Sequence, residues 1–385
     1  MSRVLRSFTD YMKRADKLFW LISIAIAIYG LILVKSVSRV YNVGSGAFKT
    51  QLIAVIIGYA VAIFLTLIDY RAISSYWWLV AGFCLFLIVY TLAFGISAQG
   101  TAGVNAKAWI KIPGGTFQPS ELVKIGFLIT FSKHLSVLKE RDWLKRPLHV
   151  MLLAAHALLP IALVHLQGDD GAGVIFFCMF LAMAFAAGVQ LRYFAGLFAA
   201  ILVAAPLAWK YVLKDYQKTR LTSVYNLTAD PLGNGLQQLA GQISIGSGQF
   251  WGRGLFKGPR VELGSVPIQQ SDFIFSVAGE ELGFIGCALI LLLLFLYLIR
   301  TLHAAHKSCD GMGTYICFGF FGMIAAQAIF NLGMCLNLLP VMGVTLPFFS
   351  AGGSSAMCLY FGFGLVQNVY MHRNDGEKVK VSIHR

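Results

Sequence analysis

The chain has 385 residues, of which 58% are hydrophobic, 14% aromatic and only 12% charged, and its formal net charge is +14. Apolar stretches of about twenty residues recur from end to end, each long enough to cross a bilayer, which excludes a soluble globular fold and a disordered chain alike. Most cations lie in loops that flank these stretches and no nucleic-acid-binding module is legible, so anionic lipid headgroups or phosphates are the expected partners, not nucleic acid.

The expected fold is all-α and polytopic, a single domain over 1–385 with ten transmembrane helices at about 18–36, 51–67, 76–95, 118–137, 148–166, 172–189, 193–212, 273–299, 314–338 and 346–371. The basic start, with Arg3, Arg6, Lys13, Arg14 and Lys17, is followed by no small-residue cleavage site, so the first span is read as an anchor that stays. Further positives after spans four (Lys139, Arg141, Lys145, Arg146), eight (Arg300, Lys307) and ten (Arg373, Lys378, Lys380) fall on the same side. By the positive-inside rule that side is the cytoplasm, which puts both termini inside and a large loop at about 213–272 outside.

In chain order, the first polar feature is the outer loop 96–117, a glycine-rich approach followed by Lys107, Trp109 and Lys111, then Pro113 and a helix start at Gln118-Pro119-Ser120-Glu121. Gln118 or Ser120 can cap that helix, with Pro119 in the first turn. Glu121 and Lys124, at i and i+3, share a face, either as a structural ion pair or as a pair whose cation also meets an anionic substrate. Next, Gln167-Gly168-Asp169-Asp170-Gly171 places two carboxylates in one outer turn. They serve either as a solvated reversal or as ligands for a hard cation such as Mg²⁺ or Mn²⁺.

The long outer segment carries Ser247, Gly248, Gly252, Arg253, Gly254 and Lys257, read as a flexible backbone with cations that can approach an anionic ligand. It lacks the Gly-Lys-Ser/Thr ending of a nucleotide-binding loop. Where that segment meets span eight stands Asp272, preceded by Ser271. A carboxylate at the lip of a membrane span is costly to bury and should face a cavity, a cation or a substrate, although capping the following helix is the plainer role. The last outer loop brings Pro340, Pro347, Ser350 and Ser354 into span ten, where small residues suit either a cavity lining or tight helix packing. The seven cysteines lie mostly within spans without a Cys-x-x-Cys pair and read as packing residues. His303-Ala-Ala-His306-Lys-Ser-Cys309 has a faint ligand spacing and an ordinary topogenic reading.

Taken together, Phe117-Gln-Pro-Ser-Glu-Leu-Val-Lys124, Ile245-Gly-Ser-Gly248 with Gly252-Arg-Gly254, Ser271-Asp-Phe-Ile-Phe275 with Glu280-Glu-Leu-Gly283, and Leu339-Pro-Val-Met-Gly343 with Leu346-Pro-Phe-Phe-Ser-Ala-Gly-Gly-Ser-Ser355 resemble the shape, elongation, division and sporulation (SEDS) family, the RodA/FtsW type of peptidoglycan glycosyltransferase. The short tails and the Ile68-Asp69-Tyr70-Arg71 turn look more like the RodA branch. The chain departs from the family pattern at Gly168-Asp169-Asp170-Gly171, where Asp169 is the aligned carboxylate, at Pro267-Ile268, and at Lys107-Ala108-Trp109.

The resemblance implies polymerisation of lipid II into glycan strands with inversion at the sugar, at an outward-facing site in the bacterial cytoplasmic membrane, beside a class B penicillin-binding protein. On that footing Asp272 is the catalytic base. Lys107, Trp109, Lys111, Glu121, Lys124, Asp169, Ser247, Arg253, Lys257, Ser271 and Ser354 are substrate-binding candidates, and Asp169 and Asp170 are candidates for a divalent cation (Mg or Mn). One base and phosphate-neutralising cations suffice for an activated pyrophosphate donor. A lipid flippase is the main competing class, against which stand the absence of a visible internal repeat and the clustering of ionisable residues at the outer rim. A noncatalytic scaffold for a transpeptidase is the third.

Overall fold

Five of the long helices begin at a residue that spares or satisfies their first amides. Asp16 accepts from Phe19 N at 3.1 Å, Asp169 from Ala172 N at 3.0 Å and Asp310 from Gly313 N at 2.7 Å, whereas Pro119 and Pro147 occupy first turns where no amide is needed. The structure, a computed structural model, describes residues 11, 13–40, 46–97, 106–112, 115–211, 213–224 and 234–375. The stretch 100–105, Pro113 and the basic residues Arg3, Arg6, Lys378 and Lys380 lie outside these.

The helices are α1 (Lys17–Val37), α2 (Gly46–Leu67), α3 (Tyr70–Ser75), α4 (Trp77–Phe94), α5 (Pro119–Glu140), α6 (Pro147–Leu166), α7 (Asp170–Ala187), α8 (Leu191–Tyr211), α9 (Asp215–Ser223), α10 (Asn234–Ser247), α11 (Pro259–Glu262), α12 (Ile274–Lys307), α13 (Gly311–Cys335) and α14 (Gly353–Met371). Two short antiparallel strands, β1 (Ile110–Ile112) and β2 (Gly115–Phe117), form a hairpin with Lys111 opposite Thr116 that leads into α5.

Eight of the helices are long and apolar enough to cross a membrane by length and composition: α1, α2, α4, α6, α7, α8, α12 and α13. The predicted spans four and ten are helices α5 and α14, which fall short of that measure because they carry polar side chains. Their surroundings explain it. Residues of α5 from Val123 to Ser132 are buried without interruption, and nearly all of α14 is buried, so these helices face protein instead of hydrocarbon.

Small residues set the helix contacts. A Cβ on Gly364 of α14 would stand 2.7 Å from Ala62 Cα of α2, and one on Gly322 of α13 would stand 2.8 Å from Ala182 Cβ of α7. At the centre an aromatic cluster of Phe19, Tyr297, Phe348, Tyr360 and Phe363 joins α1, α12 and α14. A buried Asp16–Arg300 ion pair, with Gln367 bonded to the Asp16 backbone, ties α1, α12 and α14 at the other end.

The long outer segment proves partly ordered by helices, and the start of span ten is corrected. Within 213–272 the helices α9, α10 and α11 alternate with irregular chain, and α10 packs against α12 and α13, with Gln238 donating to Leu339 O at 3.0 Å and Gln242 to Leu336 O at 3.1 Å. Span ten starts at Gly353, not near 346. Pro347 disfavours helical backbone in the residue before it, Phe348 takes φ +69°, and Ser350 Oγ donates to Ser271 O at 2.5 Å, which pins the stretch to the start of α12.

Candidate active site

The irregular stretch between α13 and α14 brings the scattered polar residues together. Asn331, fully buried within α13, donates from Nδ2 to Asp272 O at 2.8 Å and to Val344 O at 2.7 Å, so one amide fixes both the approach to α12, two residues before its start, and the 341–346 backbone. A Cβ at Gly343, whose φ is +67°, would stand 3.9 Å from Asp272 Oδ2. One residue earlier, the Met342 carbonyl oxygen comes within 2.5 Å of where a Cβ on Gly171 would be. The 342–344 backbone therefore lies between the Asp272 corner and the start of α7.

On the far side of that backbone sits a polar network. Asp169 caps α7 with one oxygen, and with the other it accepts from Gln118 Nε2 at 2.7 Å and Ser120 Oγ at 3.3 Å. Ser354 Oγ accepts from Gln118 N at 3.3 Å, which draws the start of α14 onto the start of α5. Below them Lys124 Nζ and Glu121 Oε2 pair at 2.9 Å, with Lys124 only 1% exposed. Burial pushes the Asp169 carboxyl up, and its bonds to Ala172 N and Gln118 together with the Lys124 charge oppose that shift.

Asp272 is partly buried and its carboxyl is likewise raised, by burial first, against a hydrogen bond from Ser271 and the charge of Arg220. Arg220 belongs to α9, which crosses this end of the bundle and is held there in part by Gln217 Nε2 donating to Asp170 Oδ2 at 2.8 Å. The plainer role expected for Asp272, capping the following helix, is not seen: the N-cap position of α12 is Phe273 and the helix has no side-chain cap bond.

The remaining candidates are placed as follows. Lys107 and Lys111 are exposed on the hairpin, and Trp109 bridges Ile96 through backbone bonds in the same loop. Asp169 and Asp170 diverge: Asp170 pairs with His165 at 2.6 Å and with Gln217, so the two carboxylates serve different partners. Among the described residues no group of three or more His, Cys, Asp or Glu side chains converges as a metal cluster would. Ser247 Oγ donates to Ser244 O within its own helix. Arg253 and Lys257 are exposed, on a segment whose glycines press against helix α12: a Cβ on Gly252 would meet Glu281 O at 2.2 Å, and Gly283 opposite takes φ +65° in a kink. Those glycines serve backbone packing roughly 14–17 Å along the chain from Asp272, nine to eleven residues at about 1.5 Å per residue. Gln118, read from sequence only as a candidate cap, makes no side-chain cap bond and turns to Asp169 instead, and Gln217, Arg220 and Asn331 carry no site expectation from sequence. An asparagine inside an apolar span was the one available signal.

A membrane-embedded helical bundle with a raised carboxylate beneath a cationic helix defines the class, and comparisons with known proteins define the family. Residues 16–375 match the FtsW/RodA/SpoVE family of cell cycle proteins, so the chain belongs to this SEDS family. It is 32% identical over 359 residues to stage V sporulation protein E of Bacillus subtilis, covering 92% of this chain and 96% of that protein. It is 31% identical over 366 residues to a probable peptidoglycan glycosyltransferase FtsW of Geobacter sulfurreducens, covering 93% and 95%. It superposes on a chain of a solved peptidoglycan synthase complex, described as coordinating polymerization and crosslinking, with a TM-score of 0.79 and 29% identity over 93% of this chain and 98% of that one.

Proposed function

We propose that the chain is a peptidoglycan glycosyltransferase that polymerises lipid II in the bacterial cytoplasmic membrane, with Asp272 as general base. The observation that carries this reading is the Asp272 carboxylate, raised by burial, at a corner built by Asn331, Gly343 and Ser350 and faced by Arg220. A base works best when its pKa approaches the working pH, and burial moves Asp272 that way. Asp272 takes the proton of the acceptor sugar's hydroxyl as that oxygen bonds to the donor's anomeric carbon. The bond from that carbon to the pyrophosphate oxygen breaks, its electron pair leaves with the polyprenyl pyrophosphate, and the configuration inverts.

Arg220, Lys107 and Lys111 supply cations for the departing phosphates. Asp169 positions Gln118 and Ser120, and Glu121 holds Lys124 in place beneath them. Ten helices of 18 residues or more support ten crossings with both termini cytoplasmic, since the polar turns before α5, α7, α12 and α14 then share one outer end. A class B transpeptidase is the partner that would crosslink the emerging strand.

The test uses purified lipid II in detergent, where sidedness is absent and a flippase makes no polymer. The wild-type protein should polymerise it, and Asp272→Asn should lose activity by a factor on the order of 10²–10⁴ while remaining folded. Near-normal polymer from the Asn variant removes Asp272 as base. No polymer from the wild type, with a transpeptidase partner present, removes the glycosyltransferase reading.

A further inference from the structure

At the opposite end of the bundle from Asp272, several cations are already partnered. Arg71 Nε lies 2.8 Å from Asp310 Oδ2, Arg300 pairs with Asp16, Lys145 pairs with Asp142 at 2.9 Å, and Lys139 Nζ donates to Ala187 O at 3.0 Å. Three guanidiniums on the neighbouring α5–α6 and α7–α8 turns differ. Arg141 and Arg146 both lie over the Trp143 ring, at 4.7 and 5.8 Å from its centroid, and Arg192 lies over Tyr193 at 5.0 Å. None of the three has a carboxylate partner among the described residues.

These guanidiniums belong to two turns that interlock. Tyr193 OH donates to Lys145 O at 3.3 Å and Arg192 Nη2 to the same carbonyl at 3.4 Å, which holds the start of α8 against the α5–α6 turn. Beside them Leu148, Met151 and Leu191 are exposed apolar side chains. Stacking on a ring removes rotamer freedom from an arginine and leaves its fork of donors free, the arrangement that suits bidentate binding of phosphate. Indole and phenol rings favour the depth of lipid headgroups, and apolar side chains just beyond them meet acyl chains.

We propose that Arg141, Arg146 and Arg192, set on Trp143 and Tyr193, form a binding site for the phosphate of an anionic phospholipid, with its acyl chains along Leu148, Met151 and Leu191. A zwitterionic lipid cancels the phosphate charge with its own ammonium, and a soluble phosphate has no chains to bury, so both bind less well. The site is independent of the polymerisation reaction.

The experiment titrates the detergent-purified full chain with phosphatidylglycerol, cardiolipin, phosphatidylcholine and inorganic phosphate, reading retained lipid by native mass spectrometry and thermal unfolding. The two anionic lipids should be retained and raise the melting temperature, and phosphatidylcholine should do neither. The triple variant R141Q/R146Q/R192Q should bind phosphatidylglycerol on the order of a hundredfold more weakly, about fivefold per cation lost at an anionic surface. Because that variant also alters topogenic charge, R141K/R146K/R192K serves as the second test: it keeps the charge and should still lose affinity several-fold. Unchanged affinity in either triple variant overturns the proposal, as does equal binding of phosphatidylcholine. Inorganic phosphate competing as strongly as the lipid would make this a free-anion site.

Discussion

Helices α8 and α13 are close in hydropathy, yet their surroundings are opposite. In its most apolar stretch α13 is 67% buried, and α8 has no buried residue at all. Helix α13 carries Gly319, Gly322 and Gly333 at its contacts and one buried asparagine that organises the Asp272 corner. Helix α8 leads to α9, whose Gln217 bonds Asp170 at the start of α7 and whose Arg220 charge acts on Asp272. One side of the site is therefore built on the densest part of the bundle and the other on its least packed arm. On the proposed function, rigid positioning of the base falls to the packed side and freedom to admit substrate to the loosely packed one.

That contrast is most severely tested inside the packed side. Lys124→Ala strands a buried Glu121 and should cost about 3–5 kcal/mol in thermal or denaturant unfolding, together with activity. Lys124→Met combined with Glu121→Gln should restore stability without activity. Recovery of both would reduce the pair to helix packing. Next in size, Gly322→Leu forces a side chain against Ala182 and the Cys178 carbonyl and should destabilise by about 1–3 kcal/mol, seen as a lower melting temperature.

On the loosely packed arm the effects should fall on chemistry instead. If Asp272 is the base as proposed, its carboxylate form is the active one, and since its pKa is raised, polymerisation should fall as pH drops through a limb above the ordinary Asp value of about 3.9. Arg220 opposes that rise, so Arg220→Gln should move the acid limb to higher pH with little loss of thermal stability. An unmoved limb would mean that α9 does not sense the base. The sign for stability is the reverse of the usual carboxylate case: a raised folded-state pKa favours the fold below the unfolded value, and that benefit is lost as pH rises through the folded one. Asp272→Asn should therefore be no less stable than wild type at neutral pH. The smallest effect belongs to Val203→Ala on α8, expected within about 0.5 kcal/mol in unfolding. A loss comparable to that of Gly322→Leu would show that α8 is packed after all.

Recurrent apolar runs of bilayer length were enough to place the ten long helices to within a few residues at most ends, because hydropathy and caps act locally. Asp272 was legible for the same reason: a lone carboxylate at the lip of an apolar run is conspicuous wherever the chain goes. The pairing of Glu121 with Lys124 followed from one turn of helix. By contrast, nothing local revealed that Gly248, Gly252 and Gly283 press backbone on backbone, since a ligand and a helix ask the same freedom of a glycine. Nor did charge alone show that Asp169 turns to Gln118 and Ser120 while its neighbour Asp170 turns to His165 and Gln217. The sequence by itself determined the membrane class, the helices and the candidate base, all of which depend on residues within a few turns of one another. Only the tertiary structure decided which helices are buried against protein, where the 341–346 backbone divides the two carboxylates and which arginine's charge acts on Asp272, because these depend on placements of residues tens to hundreds of positions apart.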